Sequence, residues 1–97
     1  MRRFAITFEA SAARQIDEAR AWLEANRGAS RVALLDDELA KALRLLEVCP
    51  DMYAPAPGSK ILRRLRLERS GYHVYYRVFH RREHIYVVRL WHERRPP

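Results

Sequence analysis

The chain has one cysteine, three glycines and two lysines among its 97 residues, and no apolar run long enough to cross a membrane. Each scarcity excludes something. A lone Cys49 rules out an internal disulfide, so packing must hold the fold, and a reducing cytoplasm is the expected setting. Its neighbours Leu45, Leu46 and Val48 lead us to expect a buried, inert thiol. Three glycines are too few for a loop that cradles phosphates. A bilayer span needs about 20 apolar residues, and the short apolar run after Met1-Arg2-Arg3 is cut by Glu9 before it could serve as a signal segment. His80 and His84 straddle a turn with no cysteine or carboxylate at companion spacing, so no metal site is expected. A soluble protein without a cofactor follows.

What the chain has in excess is arginine. Seventeen of nineteen basic side chains are Arg and the net charge is +7. The charge is unevenly spread: residues 1–59 carry eight basic and nine acidic groups, whereas residues 60–97 carry eleven basic, three acidic and all four histidines. A net +8 on the last forty percent of the chain implies a polyanionic partner, either nucleic acid or an acidic protein segment. Arg suits both, because its planar fork matches phosphate and carboxylate alike.

Periodicity divides the chain into six elements. Arg3 to Phe8 alternates, with Phe4, Ile6 and Phe8 on one face of a short strand. Ser11 is placed to cap a helix over Ala12 to Asn26, whose stripe of Ala12, Ile16, Ala19 and Leu23 is widened by Trp22. Gly28 suits the left-handed position that ends it. Ser30 then caps a second helix to about Val48, with Val32, Leu35, Leu39, Ala42 and Leu46 as its stripe and Leu34, Leu43 and Leu45 broadening it. The short link makes the helices an antiparallel hairpin, and Pro50 stops the second. Asp51 to Ser59 is loop. Ile61 to Glu68 forms a strand with Leu65 and Leu67 opposite Arg64 and Arg66. After the Arg69-Ser70-Gly71 turn, Tyr72, Val74, Tyr76 and Val78 alternate with His73, Tyr75, Arg77 and Phe79. His84 to His92 is the most apolar strand and so is expected to be central.

One α+β domain over residues 1–97 is therefore expected, ordered β-α-α-β-β-β, with a helical hairpin on one face of a small, mainly antiparallel sheet. The other face is left open, with Arg64, Arg66 and His73 or Arg77 on it. Which sheet face carries His73 and Arg77 stays undecided, since the strand parity of Arg89 against His92 can be read either way.

The element order, the Ser70-Gly71-Tyr72-His73-Val74-Tyr75-Tyr76-Arg77-Val78 hairpin and the closing Trp91-His92-Glu93-Arg94-Arg95 resemble the RelE/ParE toxin superfamily. The resemblance covers nearly the whole chain. It implies the toxin half of a bacterial type II toxin–antitoxin pair, neutralised by an antitoxin with an acidic or amphipathic C-terminal tail. It implies one of two targets, ribosome-bound mRNA cut by a RelE-like endonuclease or DNA gyrase inhibited by a ParE-like binder. For a nuclease the matching positions are Arg64, Arg66, His73 and His92, although His73 stands where an Arg is common and no Tyr follows Tyr86. That incomplete set favours the gyrase binder, with Arg64, Arg66, Arg77, His92, Arg94 and Arg95 as its partner-binding or anion-binding surface. A toxin-derived binding module without toxicity is the third possibility. Glu93 is expected to be a solvated carboxylate.

Overall fold

Gly28 sets how the two helices meet. In this computed structural model, which describes residues 2–94, helix α1 (Ala10–Asn26) ends where the N–H groups of Arg27 and Gly28 both bond the Leu23 carbonyl, at 2.7 and 2.9 Å. Gly28 has φ +95° and is at once the residue that caps helix α2 (Ala29–Val48). Glycine alone adopts that conformation without steric cost. The hairpin link is therefore shorter than expected, and both predicted serine caps are displaced. Ser30 lies inside α2, because Gly28 starts that helix at once. Ser11 lies inside α1, which begins after Glu9, and its hydroxyl donates to the Val88 carbonyl at 3.2 Å instead of capping.

The helical stripes bury as their spacing predicts: Ala12, Ala19 and Leu23 on α1, and Val32, Leu35, Leu39, Ala42 and Leu46 on α2. Two predicted extensions of these stripes do not hold. Trp22 is 53% exposed and Leu45 47% exposed. Each precedes a buried leucine by one residue, a rotation of about 100° that carries it off the sheet-facing side. Cys49 is likewise exposed rather than buried. It is the C-cap of α2, with φ −133° and ψ 67°, and leaves the helix beyond the last buried turn. Arg20 and Asp36 form an ion pair between the helices.

The strands are β1 (Ala5–Phe8), β2 (Arg63–Leu67), β3 (Tyr72–Phe79) and β4 (His84–His92), in the sheet order β1-β4-β3-β2. β1 runs parallel to β4, and the other two pairings are antiparallel. β4 is thus internal, as its apolar content predicts. β1 starts two residues later than expected because the Phe4 N–H bonds the Glu47 carbonyl, at 2.8 Å. β2 is shorter than expected because the Ser59 hydroxyl accepts the N–H groups of Ile61 and Leu62 (3.2 and 2.9 Å), holding them in a turn. The outer edge of β2 is not bare. Its Arg64 N–H bonds the Ala54 carbonyl at 3.2 Å, and Pro55 bridges to Arg63. A covered edge of this kind discourages strand-to-strand aggregation.

Leu65, Leu67, Tyr72, Val74, Tyr76, Ile85, Val87 and Leu90 supply the sheet's half of one continuous core. Tyr76 is wholly buried and donates its hydroxyl to the Pro50 carbonyl at 3.3 Å. Burial pushes its phenol up to about 12. Beside it, Arg63 donates to the Tyr53 carbonyl at 2.5 Å and approaches Asp51 at 3.4 Å, tying the loop after α2 to the sheet. Fully burying one leucine of this core contributes about 1.5–3 kcal/mol.

One irregularity decides the layout of β4. Tyr76 pairs with Val87 but Tyr75 pairs with Arg89, so Val88 is an extra residue in β4. The bulge shifts the alternation: Ile85 and Val87 face the core before it, Leu90 after it. Beyond Phe8, β1 no longer flanks β4, and α1 takes over its bonding. Ser11 satisfies the Val88 carbonyl, and Gln15 Oε1 accepts the Leu90 N–H at 2.8 Å.

Replacing Gln15 by Leu keeps similar bulk but strands the Leu90 N–H. Denaturant unfolding of Gln15→Leu should show a loss of about 1–3 kcal/mol; an unchanged midpoint would mean that solvent satisfies this group.

Candidate functional site

Strand register fixes the open face of the sheet. From one end to the other it presents Arg66, His73 and Trp91, then Arg64, Tyr75 and Arg89, then Arg77, Tyr86 and Thr7, and last Phe79, His84 and Ala5. Both His73 and Arg77 lie on it, as does Arg89. Basic and aromatic groups are layered here. The Arg89 guanidinium sits 4.3 Å from the Trp91 ring centroid and 5.6 Å from that of Tyr75. Arg77 lies 4.9 Å from the Phe79 ring. His84 stacks on Tyr86 with centroids 4.5 Å apart, and its Nε2 is 2.6 Å from the Thr7 hydroxyl. Such stacking holds guanidinium groups flat while leaving N–H edges for an anion. Arg64, Arg77 and Arg89 have no carboxylate partner among the described residues.

At one end of this face a carboxylate is present. Glu93 accepts two hydrogen bonds from Arg66, Nε to Oε2 at 2.8 Å and Nη2 to Oε1 at 3.2 Å. This corrects the expectation of a solvated side chain. His73 Nε2 stands 3.6 Å from Oε2, too far for a hydrogen bond but close enough for charge attraction. The turn that follows β4 is fixed by the Glu93 N–H, which bonds the Gly71 carbonyl at 2.9 Å. Gly71 has φ +79°, and a Cβ there would meet His92 Nε2 at 3.1 Å and Glu93 Oε1 at 3.3 Å. From the other side, Glu38 of α2 accepts the N–H groups of Arg69 and Ser70, at 2.9 and 2.8 Å. The β2–β3 turn is thus clamped between α2 and the end of β4. Arg66 hydrogen bonds are the first cause that holds the Glu93 carboxyl at about 2, against a partial opposing effect of burial; nearby His73 adds to the lowering.

His92 occupies a different place. It pairs with Tyr72 on the helix-covered face, and the two rings meet edge to face with centroids 4.9 Å apart. Its Nδ1 accepts the Arg94 N–H at 3.2 Å. A groove of about 1070 Å³ opens there, bounded by Trp22 and Gln15 of α1, by Arg27 and Arg31, and by His92 and Arg94. Of the sequence-derived nuclease positions, the sheet therefore brings Arg64, Arg66 and His73 to one end of the open face and leaves His92 on the other side. Of the partner-surface positions, Arg64, Arg66 and Arg77 share the open face, His92 and Arg94 border the groove, and Arg95 lies outside the described residues. Arg89 and Glu93 were missed from the sequence. The parity of Arg89 hides behind the bulge, and no local pattern pairs Glu93 with an Arg twenty-seven residues earlier. No group of residues that could hold a metal occurs among the described residues, and no helix among them is long and apolar enough to cross a membrane. His80 pairs instead with Asp51 at 2.8 Å.

Comparison with known proteins connects the chain to a family. The family model described as the ParE toxin of the type II toxin–antitoxin system parDE matches residues 6–97. No curated protein sequence matches the chain. Among solved structures, the chromosomal ParDE system of P. aeruginosa contains a chain that is 17% identical with a TM-score of 0.75, the match covering 92% of this chain and 95% of that one. A mutant of the E. coli toxin RelE in the free state is 21% identical with a TM-score of 0.64, covering 97% and 86%. A chain of the intact E. coli RelBE toxin–antitoxin complex is 16% identical with a TM-score of 0.58, covering 95% and 99%. These structural likenesses speak to the fold.

The Glu93–Arg66 pair has a pH signature. A carboxyl that ordinarily titrates near 4.5 and is held at about 2 in the fold stabilises the fold fully above pH 4.5 and loses that contribution as the pH falls toward 2. Melting temperatures across this window should therefore fall more steeply for the parent chain than for Glu93→Gln; parallel slopes would show that the pair does not persist in solution.

Proposed function

The chain belongs to the ParE toxin family of type II toxin–antitoxin systems, and we propose that it is a ParE-like toxin that inhibits DNA gyrase by binding it, with no catalytic step of its own. The engagement of the candidate nuclease groups within the fold carries this reading, with His92 packed on Tyr72 and Arg66 held by Glu93. Metal-free RNA cleavage needs a base near the ribose 2′-OH, an acid at the leaving oxygen and fixed positive charge, all within reach of one phosphate. Here the His92 ring packs against Tyr72 on the helix side of the sheet, while Arg64 and Arg66 face the other way. Arg66 is moreover engaged by Glu93.

A surface of fixed, stacked guanidinium groups is better suited to recognition. Charge on Arg64, Arg77 and Arg89 accelerates encounter with an acidic protein surface, and the half-buried aromatics between them supply contact area. In the same reading a cognate antitoxin neutralises the toxin in the cytoplasm. Its acidic or amphipathic tail would meet the open face and the groove edge at Arg94. The E. coli RelBE structure is of such a toxin–antitoxin complex in a chain of similar fold.

A second reading has one observation in its favour. Arg64, Arg66 and His73 share one end of the open face, which is where a RelE-like endonuclease acting on ribosome-bound mRNA would place its phosphate.

Purified protein incubated with gyrase and supercoiled plasmid should trap cleaved DNA and should leave ribosome-bound mRNA intact. Codon-phased cuts in that mRNA would establish the nuclease instead, and no growth arrest on induction would establish a non-toxic binding module. Antitoxin association should slow by tenfold or more between 50 and 500 mM salt, on the order expected when several exposed charges steer encounter; salt-indifferent rates would exclude the open face as the docking surface.

A further inference from the structure

The sheet has two outer edges, and only one of them is finished. On β2 the Arg64 N–H bonds the Ala54 carbonyl and Pro55 bridges to Arg63. On β1 the inward bonds run to β4. Ala5 and Glu9 donate to the carbonyls of Glu83 and Val87, at 3.0 and 2.9 Å, and strand alternation turns Thr7 the same way. The residues between them therefore point their N–H and C=O groups outward. Phe4 does so and meets the Glu47 carbonyl at the end of α2. Ile6 and Phe8 do so and meet no backbone partner among the described residues. An unpaired row of this kind is a template for another strand.

The pattern of the open groups selects the strand that fits. They belong to Ile6 and Phe8, with Thr7 between. An antiparallel copy of β1 with Thr7 opposite Thr7 sets Ile6 against Phe8 and Phe8 against Ile6. Both are then hydrogen-bonded pairs, so four backbone bonds form and every outward group of the two residues is used. Charge agrees with this register. Arg3 and Glu9 flank the strand at opposite ends, both are exposed, and neither has an ion-pair partner among the described residues. Antiparallel pairing puts Arg3 diagonally across from Glu9 of the other copy, within reach of a long side chain, and symmetry repeats the contact. A parallel copy would set Arg3 beside Arg3 and Glu9 beside Glu9.

The positive charge of the chain is kept away from this edge. On the open face Thr7 and Tyr86 separate Arg77 from it. Across such a seam the two Arg77 positions lie five strand spacings apart, roughly 24 Å, which is about three Debye lengths at physiological salt.

We propose that two copies of this chain pair through their β1 edges, in antiparallel register centred on Thr7, to form one eight-stranded sheet. The interface is isologous. Side chains directly opposed in an antiparallel pair lie on one face, so both arginine faces look the same way and the dimer offers a two-fold symmetric basic surface. Four backbone bonds and two ion pairs make a small contact beside the roughly 800 Å² per partner of standard complexes. Association is therefore weak and concentration-dependent.

The inference does not rest on gyrase as target, and its test uses no gyrase. Sedimentation equilibrium of the full chain should show the average mass rising from one chain toward two between roughly 10 μM and 1 mM, the range of a weak contact. Arg3→Glu and Glu9→Arg should each weaken association about tenfold, because both symmetric pairs turn from attraction to repulsion. The double variant Arg3→Glu/Glu9→Arg should recover it, and melting curves check that each variant folds. Register is read separately in a Cys49→Ser background, which removes the exposed native thiol. There Thr7→Cys sets two thiols across the two-fold with Cα atoms about 4.5 Å apart, within disulfide range, whereas Ala5→Cys sets them roughly 14 Å apart. On mild oxidation Thr7→Cys should crosslink at least about tenfold faster. This comparison needs neither charge reversal, so it carries the test if Glu9→Arg does not fold. A monomer at every concentration, equal crosslinking of the two cysteines, or a dimer indifferent to both single reversals would overturn the proposal. A monomer whose Ile6 and Phe8 amides gain exchange protection only when the cognate antitoxin is added would overturn it too, and would give the edge to that partner.

Discussion

The extra residue in β4 is the constraint on which the layout of this molecule depends. Without Val88 as a bulge, continuing the pairing of Tyr76 with Val87 would set Arg89 opposite Val74, inside the core, and turn Leu90 outward. A guanidinium could not be buried there without a partner, and a leucine would be lost from the hydrophobic layer. With the bulge, Leu90 is buried, Arg89 stacks on Trp91, and His92 moves to the helix side. The backbone groups near this irregularity are satisfied by Ser11 and Gln15. One helix thus secures the distortion that sorts Arg89, Leu90 and His92 between two faces.

The second organising element is the β2–β3 turn. Glu38 holds it from the helical layer, the Glu93 N–H holds it from the end of β4, and Gly71 leaves room for His92 and Glu93 to approach it. Because that turn connects the strands of Arg66 and His73, its rigidity fixes the spacing of the basic end of the open face. Arg77 and Arg89, farther along, are fixed differently, by aromatic rings beside them. Charge on this protein is therefore positioned by two mechanisms, hydrogen bonds at one end and stacking elsewhere.

Much of this was legible from local pattern. The 3-4 spacing of Val32, Leu35, Leu39, Ala42 and Leu46 gave the buried side of α2, and the alternation of Tyr72 to Val78 gave both faces of β3. The open face followed from the alternation of Arg64 and Arg66 with Leu65 and Leu67. The failures have common physical causes. Ser11 and Ser30 look like caps because their side chains can cap, but Gly28 takes the capping position of α2, and the Ser11 hydroxyl, already inside α1, is spent on the Val88 carbonyl. Cys49 has apolar sequence neighbours, yet it sits where the helix has already turned away from the sheet. The side of His92 and the partner of Glu93 depend on one inserted residue and on a contact across the fold, and neither leaves a periodic trace in the chain.

The pairing of β1 with β4 has a consequence for how the protein comes into being. Residues 5–8 align with residues 84–87, so the earliest strand to leave the ribosome waits for the latest of the described strands before it has a neighbour. Contacts so far apart along the chain form late. The helical hairpin can assemble while synthesis continues, but β4 lies between β1 and β3, and the arginine-bearing face has no centre until β4 arrives. An unfinished chain therefore lacks the surface on which the proposed poisoning depends, and a cell making this protein meets it as a finished molecule.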